Sequence, residues 1–258
     1  MSGRTIQKYG QHFLISPRII NEIVDAAEVL HADNLVEIGP GKGALTQEFV
    51  KRGKAHFTVI EIDPDMVQFL QKNLPASAQL NILQTDFLKF DLNTLPAVPT
   101  QFVSNLPYID AAEILDKVLA WPHFKTAVFM FQREQAQKIT AKPGEKGYGV
   151  LSVLSQLRAR ISLICNVGKG CFNPPPKVDS RVLAFEKISV PAHWPAVARV
   201  VQAAFLHRRK TLLNALLLGG YEREKITAAL AKLNVPLTVR PEQLSPAQFV
   251  ELAHELER

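Results

Sequence analysis

Glu37-Ile38-Gly39-Pro40-Gly41-Lys42-Gly43 is the stretch that decides the fold. A short apolar run, Asn34 to Ile38, leads into it, and a helical segment, Ala44 to Arg52, leaves it and is stopped by Gly53. A strand that turns tightly through glycines into a helix lets the main chain approach a ligand closely and presents free N–H groups there. Gly39 and Gly41 are the turn positions expected to face such a ligand. In folds of this kind an acidic residue about 20 positions on, at the end of the next strand, accepts hydrogen bonds from ribose hydroxyls. Glu61, at the end of a strand expected over His56 to Ile60, meets that requirement.

The alternation continues outward in both directions. Ser16-Pro17 opens a helix whose apolar positions Ile19, Ile20, Ile23, Val24 and Ala27 recur at helical spacing. Pro64 opens another that carries Met66, Val67 and Leu70. Leu80 to Leu83 forms a third strand and delivers Asp86, Gln101 to Ser104 a fourth that delivers Asn105, and Ala127 to Phe131 a fifth. Strands alternating with helices require crossover connections, hence an α/β fold with a parallel sheet covered on both faces. Arg160 to Asn166 and Arg181 to Ile188 are expected to add an antiparallel edge pair. Each polar candidate then falls at the carboxyl end of a strand, where open α/β sheets hold ligands. Asp86 is placed to accept from an adenine amino group, with Ile62 and Phe87 as apolar covers for the ring.

The texture changes at Val190-Pro191. Helices are expected over Trp194 to Leu206, Arg209 to Leu218, Glu222 to Leu233 and Pro246 to Leu256. Ser245 and Gln248 form a capping box for the last. Two domains follow: residues 1–189, a Rossmann-like sheet, and residues 190–258, a small all-helical domain.

The glycine turn and Glu61 would serve a dinucleotide oxidoreductase equally well. Asn105-Leu106-Pro107-Tyr108 decides the matter. An adenine N6 is a poor nucleophile because its lone pair is delocalised into the ring. Two carbonyl acceptors, the Asn105 side chain and the Leu106 main chain, fit the developing ammonium better than the flat amine and so lower the barrier selectively. Pro107 stiffens the corner and Tyr108 stacks on the base. The expected reaction is methyl transfer from S-adenosylmethionine to adenine N6, leaving S-adenosylhomocysteine. A base in a duplex cannot reach such a corner, so the target is unpaired or flipped out. Phe172, at the head of the proline-rich loop Phe172 to Ser180, is expected to cover its second face.

The chain has 258 residues with 30 Lys+Arg against 24 Asp+Glu, a net charge of +6 that favours a polyanionic partner. Arg208, Arg209 and Lys210, with Lys177 in the proline loop and Arg4, Lys8 and Lys169 as outliers, are the candidate phosphate contacts. Cys165 and Cys171 lack metal-ligand spacing and the histidines are scattered, so no metal is expected. Met1 to Gln11 has no apolar core of a signal peptide, and no apolar run is long enough to span a bilayer. The expected setting is cytoplasmic, with no membrane partner and a monomeric protein.

Taken in order, the blocks Gly10-Gln11-His12-Phe13-Leu14, Glu37 to Thr46, Glu61-Ile62-Asp63, Asn105 to Tyr108, Tyr148 to Val153, Phe172 to Ser180 and Phe205 to Leu212 resemble the KsgA/RsmA family of ribosomal RNA adenine N6-dimethyltransferases. The resemblance implies a class I methyltransferase domain and a helical C-terminal domain that binds RNA or the ribosome. It implies transfer of four methyl groups to two adjacent adenosines in the 3′-terminal hairpin loop of 16S rRNA, within the assembling 30S subunit. By motif position it implies cofactor contacts from His12, Leu14, Gly39, Glu61, Asp86 and Asn105. The target base would lie against Asn105, Leu106, Tyr108 and Phe172. The chain departs from the family at His12, where many members carry Asn, and at Ile109-Asp110-Ala111, where relatives usually carry a small polar stretch. Rival readings are a large-subunit rRNA methyltransferase of the macrolide-resistance type, a DNA adenine methyltransferase and a non-catalytic assembly checkpoint.

Overall fold

A two-residue strand, β1 (Phe13–Leu14), and a helix opened by proline, α1 (Pro17–Val29), begin the part of the chain that the computed structural model describes, residues 12–257 apart from 30, 55, 56, 76–79 and 208. Arg4, Lys8, Gly10, Gln11, His56 and Arg208 therefore lie outside the described residues. On α1, Ile19, Ile23, Val24 and Ala27 are at most 1% exposed. Burying each of the three larger side chains contributes about 1.5–3 kcal/mol, so it is this apolar face that holds the helix on the sheet.

The order then runs β2 (Asn34–Ile38), α2 (Ala44–Lys51), β3 (Thr58–Glu61), α3 (Pro64–Asn73), β4 (Asn81–Gln84), β5 (Thr100–Asn105), α4 (Ala111–Ala120), β6 (Phe124–Gln132) and α5 (Arg133–Thr140). It continues through α6 (Val150–Gln156), β7 (Ala159–Val167), β8 (Phe172–Asn173) and β9 (Ser180–Lys187). A seven-stranded sheet has the order β4-β3-β2-β5-β6-β9-β7. The pairs from β4 across to β6 are parallel, and β9 runs antiparallel to β6. After β2 the chain builds outward to β3 and β4, then crosses back to β5 on the other side. That reversal opens a crevice at the carboxyl ends of β2 and β5. A separate two-stranded ladder pairs β1 with β8, Leu14 opposite Phe172.

Two compact units result, one of residues up to Ala136 with Ile161–Lys187, the other Gln137–Arg160 with Ile188–Arg258. The expected boundary after residue 189 thus misses an earlier excursion of the chain. The reason is apolar: Tyr148, Val153, Leu154 and Leu157 belong to the same core as Val200, Phe205, Leu216 and Phe249. The Tyr148 hydroxyl also donates to the Leu244 carbonyl at 2.8 Å. In this unit α7 (Trp194–Leu206), α8 (Leu212–Leu218), α9 (Arg223–Lys232) and α10 (Pro246–Leu256) follow α6. Ser245 Oγ accepts from Gln248 N at 3.3 Å and Gln248 Oε1 accepts from Ser245 N at 2.9 Å, the expected capping box. The helix expected from Arg209 begins three residues later, because Thr211 caps it by accepting from Asn214 N. No helix among the described residues is long and apolar enough to cross a membrane.

Candidate active site

The carboxyl ends of β2 and β5 lie side by side, Glu37 in register with Val103, and Ser104 Oγ donates to the Ile38 carbonyl at 2.6 Å. That pairing sets the glycine turn beside the segment that begins at Asn105. Gly39 and Gly41 have φ of 60° and 55°, a region that favours glycine. A Cβ on Gly39 would project into open space, and one on Gly41 would meet the Phe13 ring at 3.0 Å. The turn is therefore open to a ligand at Gly39, while at Gly41 the missing side chain makes room for the Phe13 ring.

Beyond the turn, Glu61 is 3% exposed. One carboxylate oxygen accepts from Gly41 N at 3.0 Å and the other from Asp63 N at 2.9 Å. Burial pushes its pKa up, while these main-chain donors pull it down. A carboxylate has about four acceptor sites and main-chain donors from Gly41, Asp63 and Ile62 use three, so the group that braces the turn can still accept from a hydroxyl. Deeper in, Glu37 is 1% exposed and accepts from Thr46 Oγ1 at 2.7 Å. Burial pushes its pKa up to about 8, with the Thr46 bond working against the rise.

One cavity of about 880 Å³, its open mouth included, runs past both stretches. Leu14, Gly39, Gly41, Glu61 and Ile62 line it, and so do His12, Asn105, Leu106, Pro107 and Tyr108. The Asn105 side-chain nitrogen donates to the His12 carbonyl at 3.1 Å, which leaves the amide oxygen as the acceptor available to a ligand. Tyr108 is half-buried and its hydroxyl shares a 2.9 Å hydrogen bond with Ser180 Oγ. Burial raises the Tyr108 pKa, so the ring stays neutral at physiological pH.

Three expectations need correction. Phe172 is 3% exposed and does not line the cavity. Its side chain packs in the core with Leu14, its partner in the β1–β8 ladder, so it is no exposed cover for a base. Phe87 is 5% exposed with its ring 6.3 Å from that of Phe102, so it too is a core side chain. Asp86 stands outside the cavity wall, and its carboxylate accepts from Leu88 N at 2.9 Å, closing its own turn. Ile62, by contrast, is 42% exposed at the wall.

Lys177 is exposed in the proline loop. Arg209 and Lys210 are exposed in the connection before α8 rather than on a helix. Sequence reasoning passed over Glu37, which it quoted only as part of the turn. It also passed over Ser180, whose place at the end of the proline loop was the available signal. Lys117, whose ammonium donates to the carbonyls of Phe87, Leu88 and Phe90 at 2.6–2.8 Å, gave no signal at all.

The family model described as ribosomal RNA adenine dimethylase matches residues 4–258. A ribosomal RNA small subunit methyltransferase A of Pseudomonas syringae pv. tomato is 39% identical over 260 residues, covering 98% of this chain and 95% of the relative. A dimethyladenosine transferase from Plasmodium falciparum superposes with a TM-score of 0.78 over 93% of this chain and 96% of its own, at 24% identity. The 23S rRNA methyltransferase ErmE superposes with a TM-score of 0.74 over 95% of this chain and 100% of its own, at 28% identity.

Proposed function

The chain belongs to the ribosomal RNA adenine dimethylase family, and from that premise we propose that residues 105–108 hold an extruded adenine of small-subunit rRNA against the cofactor cavity. The protein is an adenosylmethionine-dependent rRNA methyltransferase of class I fold, and its reaction is N6 dimethylation of adenine in small-subunit rRNA. The observation that carries the site assignment is the single cavity lined both by the glycine turn and by Asn105 to Tyr108.

The residues present fit adenosylmethionine. The turn, open at Gly39, would take the amino-acid end, Glu61 the ribose hydroxyls, and Ile62 a face of the adenine. When bound, the cofactor supplies a methyl group on a positively charged sulfur. The chain's own part is to present the acceptor. The Asn105 amide oxygen and the Leu106 carbonyl accept the two N6 hydrogens, concentrating the lone pair on nitrogen, and Tyr108 stacks on the base. No strong base is needed, since the methylated nitrogen is acidic enough to lose its proton to water. We assign Lys177, Arg208, Arg209 and Lys210 to the phosphate backbone, the helical unit to RNA or ribosome contact, and two adjacent adenosines in the 3′-terminal hairpin loop, within the assembling 30S subunit, as the target.

The likeness to ErmE gives a large-subunit target its support, but the relative that is 39% identical over nearly the full length is a small-subunit enzyme. Labelled adenosylmethionine, presented with small and large subunits stripped of these methyl groups, tests the choice. Label in dimethyladenosine of the small subunit is expected; label confined to the large subunit would overturn the reading.

A further inference from the structure

The proline loop ends on a residue that touches the corner at 105–108. Ser180 is the first residue of β9, in register with Gln132 at the end of β6, and is 1% exposed. Its neighbour Asp179 is tied twice: the carbonyl accepts from Arg133 N at 2.9 Å and the carboxylate from Lys169 N at 3.2 Å. Ser180 Oγ therefore stands at a fixed point of the sheet. The Tyr108 ring hangs instead from the turn between β5 and α4, and is half-buried. Its hydroxyl meets Ser180 Oγ at 2.9 Å. A tyrosine ring swings on two side-chain torsions, and a hydrogen bond at its far end restrains both.

We propose that Ser180 is a positioning residue for methyl transfer: through the Tyr108 hydroxyl it fixes the plane on which the target adenine lies. This rests on the proposed function, in which Tyr108 stacks on the base. The bond takes none of the stacking face, because the hydroxyl lies at the edge of the ring and in its plane. What it removes is freedom to tilt, and a base lying on a tilting ring carries N6 away from the line of approach to the methyl. A base can stack over a range of tilts, whereas transfer needs one. Loss of the bond therefore falls on rate rather than on affinity. The loop expected to cover the base with Phe172 at its head serves the base from its other end, through Ser180.

The experiment is a double-mutant cycle on unmethylated small subunits, with Ser180→Ala, Tyr108→Phe and the double variant. It measures single-turnover rate at saturating enzyme, affinity for the subunit, and affinity for adenosylhomocysteine by calorimetry. Each single variant removes the same bond from one side and keeps the ring. Each is expected to lose about 3- to 10-fold in rate, and the double variant no more than either alone. Both affinities are expected to stay at the wild-type level. Losses that multiply in the double variant would mean that Ser180 acts otherwise than through Tyr108, and overturn the proposal. A wild-type rate in either single variant does the same, as does a loss confined to subunit affinity. Tyr108→Phe leaves β9 intact and decides alone should Ser180→Ala fail to fold: a slowed rate with adenosylhomocysteine affinity kept supports the role, and any other result overturns it. Wild type that methylates neither subunit would instead bring down the proposed function, and this inference with it.

Discussion

At the scale of single residues, Glu37 is the group whose ionisation the fold alters most usefully. In the unfolded chain its carboxyl titrates near 4.5, and in the folded one burial pushes it up to about 8. Between those values the folded state keeps a proton that the unfolded state has lost. Stability from this group is therefore fully present below about pH 4.5 and is lost as pH rises through about 8. Glu37→Gln keeps the shape and the acceptor for Thr46 but cannot ionise. Its melting temperature is expected to fall less than that of wild type between weakly acid and weakly alkaline buffer, with the variant the more stable at the alkaline end. Parallel melting curves for the two proteins would show that Glu37 does not carry this dependence. The same side chain illustrates what a sequence can hide: an acidic residue two positions before the first turn glycine looks like strand, and only its burial at 1% exposure makes it a titrating group of the cavity.

At the scale of elements, α4 holds the turn after β4 through one side chain. The Lys117 ammonium donates to the carbonyls of Phe87, Leu88 and Phe90 at 2.7, 2.8 and 2.6 Å. Burial lowers its pKa, opposed by the charges of Asp86 and Asp91. Lys117→Met would leave those carbonyls without their donor, at a cost of about 1–3 kcal/mol. Urea denaturation is expected to show a lower midpoint with an unchanged slope, and an unchanged midpoint would refute the role. The α4 helix carries a full apolar stripe in the sequence, Ala111, Ile114, Leu115, Val118 and Leu119, whereas α5 and α6 were not legible there. Arg133 to Thr140 is too polar to show an apolar stripe, and Val150 to Gln156 is apolar without a period and rich enough in valine to pass for a strand. The strand leading into the glycine turn was legible because β2 is a short run, buried from Leu35 to Ile38, that ends on the turn itself. Phe172 was misjudged for a reason peculiar to strands. Which face a side chain takes depends on register, and the β1–β8 ladder that turns this ring inward is set by a partner about 160 positions away.

At the scale of the whole molecule, an excess of six positive charges is a modest attraction for a polyanion, so where the charges sit matters more than their sum. Arg209 and Lys210 are exposed in the connection between α7 and α8. Replacing both with Glu is expected to weaken rRNA binding about equally for all sequences and to reduce the salt dependence of log K by about 0.7–0.9 for each phosphate contact removed. Binding isotherms over a salt series measure this, and an unaltered slope would move the contact elsewhere. The fold class followed from punctuation in the sequence, from glycines, prolines and the acidic residue after them, as did the gathering of Gly39, Gly41, Glu61 and Ile62 along one cavity, but not the places of Asp86 and Phe87. The division of the chain did not, because nothing in the sequence of 137–160 names its partner; it joins the helical unit through a core that includes Ala141, Tyr148, Val153, Leu154 and Leu157. This interleaved connectivity has an evolutionary corollary. A module stitched from two separate lengths of polypeptide cannot be donated, deleted or grafted at one splice point, since a gene fragment ending at residue 189 would strand part of its interior on the wrong piece. The catalytic sheet and its helical companion are thereby bound to be inherited together.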